Sequence, residues 1–139
     1  MTWQDELRTD LMRDEGVKLK PYVDTVGKIT IGCGRNLSDV GITMAECDAM
    51  LDGDIAIAVA ECGHWPWFDA APDPVKRGLA NMLYNCGYPR LSGFKKMLSA
   101  LERGDYRIAA LEAQDSQWAQ QVGARAERIA VLFRSAVKE

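Results

Sequence analysis

Pro21, Gly27, Gly32 and Gly34 fall so close together that residues 18–36 cannot form a long helix. Both flanks of that stretch read as helices. Before it, Trp3, Leu7 and Leu11 recur every four positions, and Thr2 with Asp5 forms a capping box in which Asp replaces the usual Glu. A helix is predicted over 3–14, with Gly16 as its stop. Inside the stretch, Ile29-Thr30-Ile31 is a β-branched strand and Leu19–Val23 a weaker one, with Asp24–Lys28 as the turn between them. After it, Thr43 and Glu46 form a second capping box. Cys47, Leu51, Ile55, Ala58 and Cys62 then mark one stripe of a helix over 43–62 that Gly63 ends. At ~1.5 Å per residue this helix approaches 30 Å, enough to join two lobes.

His64-Trp65-Pro66-Trp67-Phe68 breaks the pattern and reads as a loop whose aromatics either stack on sugars or pack on their own domain. Asp73 reads as a cap with Pro74 at the first helical position. Val75, Leu79, Met82 or Leu83, and Cys86 continue a stripe to Gly87. Further helices are expected over 92–103, 105–119 and 124–137. The predicted class is α+β, a small N-terminal sheet with helices elsewhere.

Composition removes several functions. Apolar residues make up 47% and charged residues 27%, which excludes a disordered chain, and no apolar run reaches a membrane span. No dense Lys/Arg run points to nucleic acid. The N-terminus has neither a basic segment nor an apolar stretch, so no signal peptide and synthesis in a cytosol are expected. Cys33, Cys47, Cys62 and Cys86 form no C-x-x-C pair, and His64 is the single histidine. No metal site is expected, and the cysteines read as small apolar residues carrying free thiols. Residues 1–70 hold thirteen acids against six bases, and 71–139 seven against eleven. Two such halves are either walls of a cleft or two solvated faces.

With histidine chemistry resting on His64 alone, carboxylates are the remaining candidates. Glu15 ends the first helix, Asp24 sits in the hairpin turn, and Thr30 lies on the returning strand. Glycoside hydrolysis needs two carboxyl groups in different environments, one protonated and one ionised. Spacing alone does not separate this pair from two solvated acids.

The surrounding residues do. Leu11-Met12-Arg13-Asp14-Glu15-Gly16, Leu19, Tyr22-Val23-Asp24-Thr25-Val26-Gly27 and Thr30-Ile31-Gly32-Cys33-Gly34 resemble the signature of the phage lysozymes, glycoside hydrolase family 24, of the T-even type. The family pattern of Glu, eight residues, Asp, five residues, Thr is met by Glu15, Asp24 and Thr30. Asn81-Met82, Gly87, Gly93-Phe94, Trp118 and Arg125-Ala126-x-Arg128 resemble family positions further on.

The resemblance implies one lysozyme-like domain, 1–139. It would have an N-terminal lobe at about 12–50, a linking helix at about 43–62, and a helical C-terminal lobe at about 64–139 that also takes helix 3–14. It implies cleavage of the muramic acid to glucosamine β-1,4 bond of peptidoglycan with inversion. Glu15 would be the general acid, Asp24 would position or activate the water, and Thr30 would help hold it. Asn36 and Tyr84 would line the substrate cleft, and Arg125 would be a structural ion-pair partner of Asp14 and Glu15. No cofactor is implied. A monomer is expected, held in the host cytoplasm until a holin-type pore protein releases it to the cell wall or periplasm. The rival roles are a virion module and an inactive glycan-binding module. Many relatives carry histidine where this chain has Arg35, for which an ion pair with Asp54 is the expectation. The loop from Asn36 to Ile42 is shorter than in the T-even type.

Overall fold

A computed structural model describes residues 1–138. It is α+β, with a three-stranded antiparallel sheet and eight helices among those residues. The chain divides into two compact units, Met1–Ala49 and Met50 onward, and the boundary falls inside one helix.

In the first unit, α1 (Trp3–Glu15) starts where the Asp5 N–H donates to Thr2 Oγ1 (3.2 Å) and the Thr2 N–H donates back to the Asp5 carboxylate (3.0 Å). It stops at Gly16, whose φ of 74° lets its N–H reach the Met12 carbonyl at 3.0 Å. The stripe of Trp3, Leu7 and Leu11 is exposed and finds no cover within this unit. Strands β1 (Lys18–Val23), β2 (Ile29–Gly32) and β3 (Arg35–Asn36) follow in that spatial order. Tyr22 lies opposite Thr30, and Thr30 opposite Asn36. Pro21 sits on the edge strand beside an irregularity in the β1–β2 register, where a missing N–H is tolerated. Thr43 and Glu46 then open α2 (Met44–Cys62). The Glu46 N–H donates to Thr43 Oγ1 (3.1 Å), and the Thr43 N–H to Glu46 Oε1 (2.8 Å). The sheet exceeds the predicted hairpin by β3, whose two residues carry no readable alternation.

The second unit takes the end of α2 and adds α3 (Asp73–Cys86), α4 (Tyr88–Ser92), α5 (Lys95–Glu102), α6 (Tyr106–Gln114), α7 (Gln117–Val122) and α8 (Ala124–Ser135). The core is built by Val75, Leu79 and Met82 of α3, Met97 and Leu101 of α5, Trp118 of α7, and Ile129 and Phe133 of α8, all 2% exposed or less. At Gly78, α3 comes so close to α8 that a Cβ would stand 2.9 Å from a Phe133 ring carbon.

The structure corrects several boundaries. Asp73 is the first helical residue and not the cap, and Pro74 lies inside the first turn. The helix expected over 105–119 is two, because the Ser116 hydroxyl accepts from the Ala119 N–H (3.0 Å) and starts α7. The short α4 precedes the helix expected from 92. On α2 only Ala58 and Cys62 of the expected stripe are buried, while Leu51 and Ile55 line a groove. Residues 64–68 do form a loop, and its aromatics pack on their own unit. Phe68 is 2% exposed, and the half-buried Trp65 lies 5.2 Å from Tyr88 and 6.0 Å from Trp67 between ring centroids. No helix among the described residues is long and apolar enough to cross a membrane.

Candidate active site

The first unit carries Glu15, Asp24 and Thr30. Asp24 N donates to the Lys28 carbonyl (2.9 Å), which closes the turn between β1 and β2. The Asp24 side chain closes it a second time, its Oδ1 accepting from Val26 N (3.0 Å) and Lys28 N (2.8 Å). Two backbone donors on one oxygen fix the plane of the carboxyl group. No donor among the described residues bonds to its Oδ2.

Thr30 is the one buried polar residue among those described, 3% exposed, and its hydroxyl donates to the same Lys28 carbonyl at 3.0 Å. The Lys28 peptide groups therefore tie Asp24 and Thr30 together. Sequence reading missed Lys28 because it acts through its backbone, which every residue type shares. Its ammonium turns elsewhere, to Asp39 at 3.2 Å.

Glu15 ends α1 with its side chain exposed. It lies against the turn between β2 and β3, where a Cβ built on Gly34 would stand 2.8 Å from Oε2 and 3.2 Å from Cδ. Asp14 is exposed, and its Oδ1 accepts from Arg13 Nε at 3.0 Å.

Asn36 closes the turn after β3. Its Oδ1 accepts from Asp39 N (2.9 Å), and its Nδ2 donates to Asp39 Oδ2 (3.1 Å). Arg35 pairs with Glu46 and not with Asp54. The two terminal guanidinium nitrogens, Nη1 and Nη2, donate to the carboxylate at 2.7 Å each, and Nη1 also donates to the Gly41 carbonyl (3.2 Å). The short 36–42 loop brings α2's capping glutamate within reach of β3. The Arg35 fork and the Thr43 N–H hold the Glu46 carboxyl well below its ordinary value, at about 2.

Tyr84 and Arg125 belong to the second unit. Both line a groove of about 500 Å³ whose wall is formed by Leu51, Ile55, Ala58 and Phe68. Tyr84 is half exposed, and Arg125 Nε donates to Asn81 Oδ1 at 2.8 Å. The Trp118 indole N–H is satisfied by Asn85 Oδ1 at 2.8 Å. No cluster of three or more His, Cys, Asp or Glu that could hold a metal ion occurs among the described residues.

Residues 12–135 match the phage lysozyme family. The chain is 28% identical to the pre-baseplate central spike protein Gp5 of Enterobacteria phage T4, over 88% of this chain and 26% of that protein. It is 26% identical to a probable T4-type lysozyme 2 of Dictyostelium discoideum, over 93% of this chain and 94% of that protein. Against the SAR-endolysin of Escherichia phage Mu it is 29% identical, over 84% of this chain and 67% of that protein. The chain thus spans about a quarter of the spike protein and nearly the whole of the Dictyostelium lysozyme.

Proposed function

Because this chain belongs to the phage lysozyme family, and so is a lysozyme that cuts peptidoglycan, we propose that it hydrolyses the β-1,4 bond between N-acetylmuramic acid and N-acetylglucosamine, with inversion and with Glu15 as general acid. Glu15 gives its proton to the glycosidic oxygen as the bond to the anomeric carbon breaks. A water attacks that carbon from the opposite face, and Asp24 Oδ2 takes the water's proton. Inversion places the two carboxyl groups ~6.5–9.5 Å apart, leaving room for the water. The Thr30 hydroxyl proton is committed to the Lys28 carbonyl, so its oxygen serves that water as an acceptor. Asn36 in the first unit and Tyr84 in the second are each assigned to glycan binding, and Asp14 and Arg125 to structural roles.

The observation that carries this reading is the divided use of the Asp24 carboxylate, one oxygen held by the Val26 and Lys28 N–H groups and the other with no donor among the described residues. The biological role follows the likeness to endolysins. The enzyme lyses a bacterial host at the end of a phage cycle, acting as a monomer on the cell wall after a separate pore protein has let it out. A second role has its own support in the likeness to a phage spike protein, namely a particle-borne module used at entry. Finding the chain in purified particles would select that role.

The test is turbidity loss of outer-membrane-stripped cells with wild type and Glu15→Gln side by side. The substitution keeps shape and removes the acidic proton, so turnover should fall by ~10²–10⁴ while folding and glycan binding persist. Near-normal clearing by Glu15→Gln would overturn the assignment. Proton NMR of the newly released anomer reads the stereochemistry, and α product supports inversion.

A further inference from the structure

Glu15 is a long side chain at a helix end, and within residues 1–49 no hydrogen bond or ion pair fixes its carboxyl group. What it does meet is the backbone of Gly34. A Cβ there would stand 2.8 Å from Oε2, 3.2 Å from Cδ and 3.4 Å from Cγ, so the carboxyl occupies the volume that any other residue's side chain would claim. Gly32, two residues earlier in the same turn region, has φ of 70° against 76° at Gly34, yet a Cβ on it would meet nothing within 4 Å. The two glycines share one backbone requirement, a left-handed conformation that L residues rarely adopt. Gly32 ends β2 opposite Lys18 and Gly34 lies in the turn that follows, and of the two only Gly34 carries the Glu15 carboxyl against its backbone.

We propose that Gly34 is a positioning residue for the reaction, the surface free of a side chain that sets where the Glu15 carboxyl presents its proton. This rests on the reading of Glu15 as general acid. A Cβ at position 34 does not need to move the sheet, because the atoms it meets are the far end of a mobile side chain. The carboxyl yields instead, and a displacement of about an ångström at a reacting group can cost ~10²-fold in rate.

The experiment compares Gly34→Ala with Gly32→Ala, and Gly34→Asn with Gly32→Asn. Asparagine tolerates the left-handed conformation better than alanine and keeps the pairs informative if the alanine variants fold poorly. Each folded variant is assayed on soluble glycan fragments for kcat and KM across pH, and the Glu15 carboxyl is followed directly by its 13C shift. The expected result is a kcat loss of ~10-fold or more at position 34 beyond that at position 32, with KM little changed. The pH limb and the Glu15 carbon shift should move in the position 34 variants alone. Equal losses at both positions, or wild-type kcat and pH profile in a folded Gly34 variant, would overturn the proposal. Activity surviving in Glu15→Gln would instead remove the acid assignment itself, so the two failures are distinguishable.

Discussion

Asp24 has two jobs on two oxygens, and substitutions can take them apart. Oδ1 holds the turn through Val26 N and Lys28 N, and Oδ2 is the proposed base. Asp24→Asn can keep a carbonyl oxygen on both N–H groups while losing the base. Turnover should therefore fall by ~10²–10⁴ with the melting temperature close to wild type. Asp24→Ala loses the turn as well and should cost a further stability loss of about 1–3 kcal/mol, because two N–H groups lose their acceptor. Paired denaturant melts and turbidity assays check this. Equal stability of the two variants would mean that the turn does not depend on the side chain. Thr30 depends on the same corner, since its hydroxyl bonds to the Lys28 carbonyl that also accepts from Asp24 N.

Among elements, the joint between β3 and the first turn of α2 is held by a two-pronged ion pair. Arg35 grips Glu46 with two nitrogens, and Glu46 also accepts from the Thr43 N–H. Its carboxyl, ordinarily near 4.5, is held at about 2 in the fold. A carboxyl depressed by folding stabilises the native state above its unfolded pKa, and that contribution is lost as pH falls through the folded value. Glu46→Gln should thus be less stable than wild type above about pH 4.5, and the gap should close between there and about pH 2. Thermal melts of both proteins across that window check it, and a gap independent of pH would refute the linkage. This joint also shows what the sequence could and could not disclose. The Thr43–Glu46 box was readable because capping is local, and so was the stripe of Val75, Leu79 and Met82 on α3. Arg35's partner was not, because choosing Glu46 over Asp54 depends on how the 36–42 loop folds. The break at Ser116 lies in the polar run Gln114-Asp115-Ser116-Gln117, which interrupts the apolar period between Ala113 and Trp118, and Ser116 is itself a cap residue, so that boundary was open to a local reading. The candidate site divides the same way. Glu15, Asp24 and Thr30 stand out by residue type and spacing, whereas Lys28 acts through its peptide groups. Gly34 looks like Gly32 until the Glu15 carboxyl is placed beside it.

Across the whole molecule, the charge imbalance between halves of the sequence does not follow the structural units. Residues 1–49 hold nine acids and six bases, and residues 50–139 eleven of each. The acids of the sequence's first half continue along α2, at Asp52, Asp54 and Glu61, into the second unit. The cysteines do separate by unit. Cys33 and Cys47 lie in the first and are exposed, while Cys62 and Cys86 lie in the second and are buried or half-buried. All four are free thiols, as read from the sequence, but only Cys62 sits in the core, while Cys33 and Cys47 are exposed. Burial pushes the Cys62 thiol up to about 12 and raises Cys86 as well. Since the thiolate is the nucleophile, burial slows reaction twice, by excluding the reagent and by suppressing the reactive form. Iodoacetamide at about pH 8 should modify Cys33 and Cys47 in the native protein and Cys86 more slowly. Cys62 should react at the rate at which the helical unit opens, rising with denaturant. Peptide mass spectrometry after timed quenching resolves the four positions. If Cys62 were labelled as fast as Cys33 without denaturant, the core around α3 and α8 would not be closed as described.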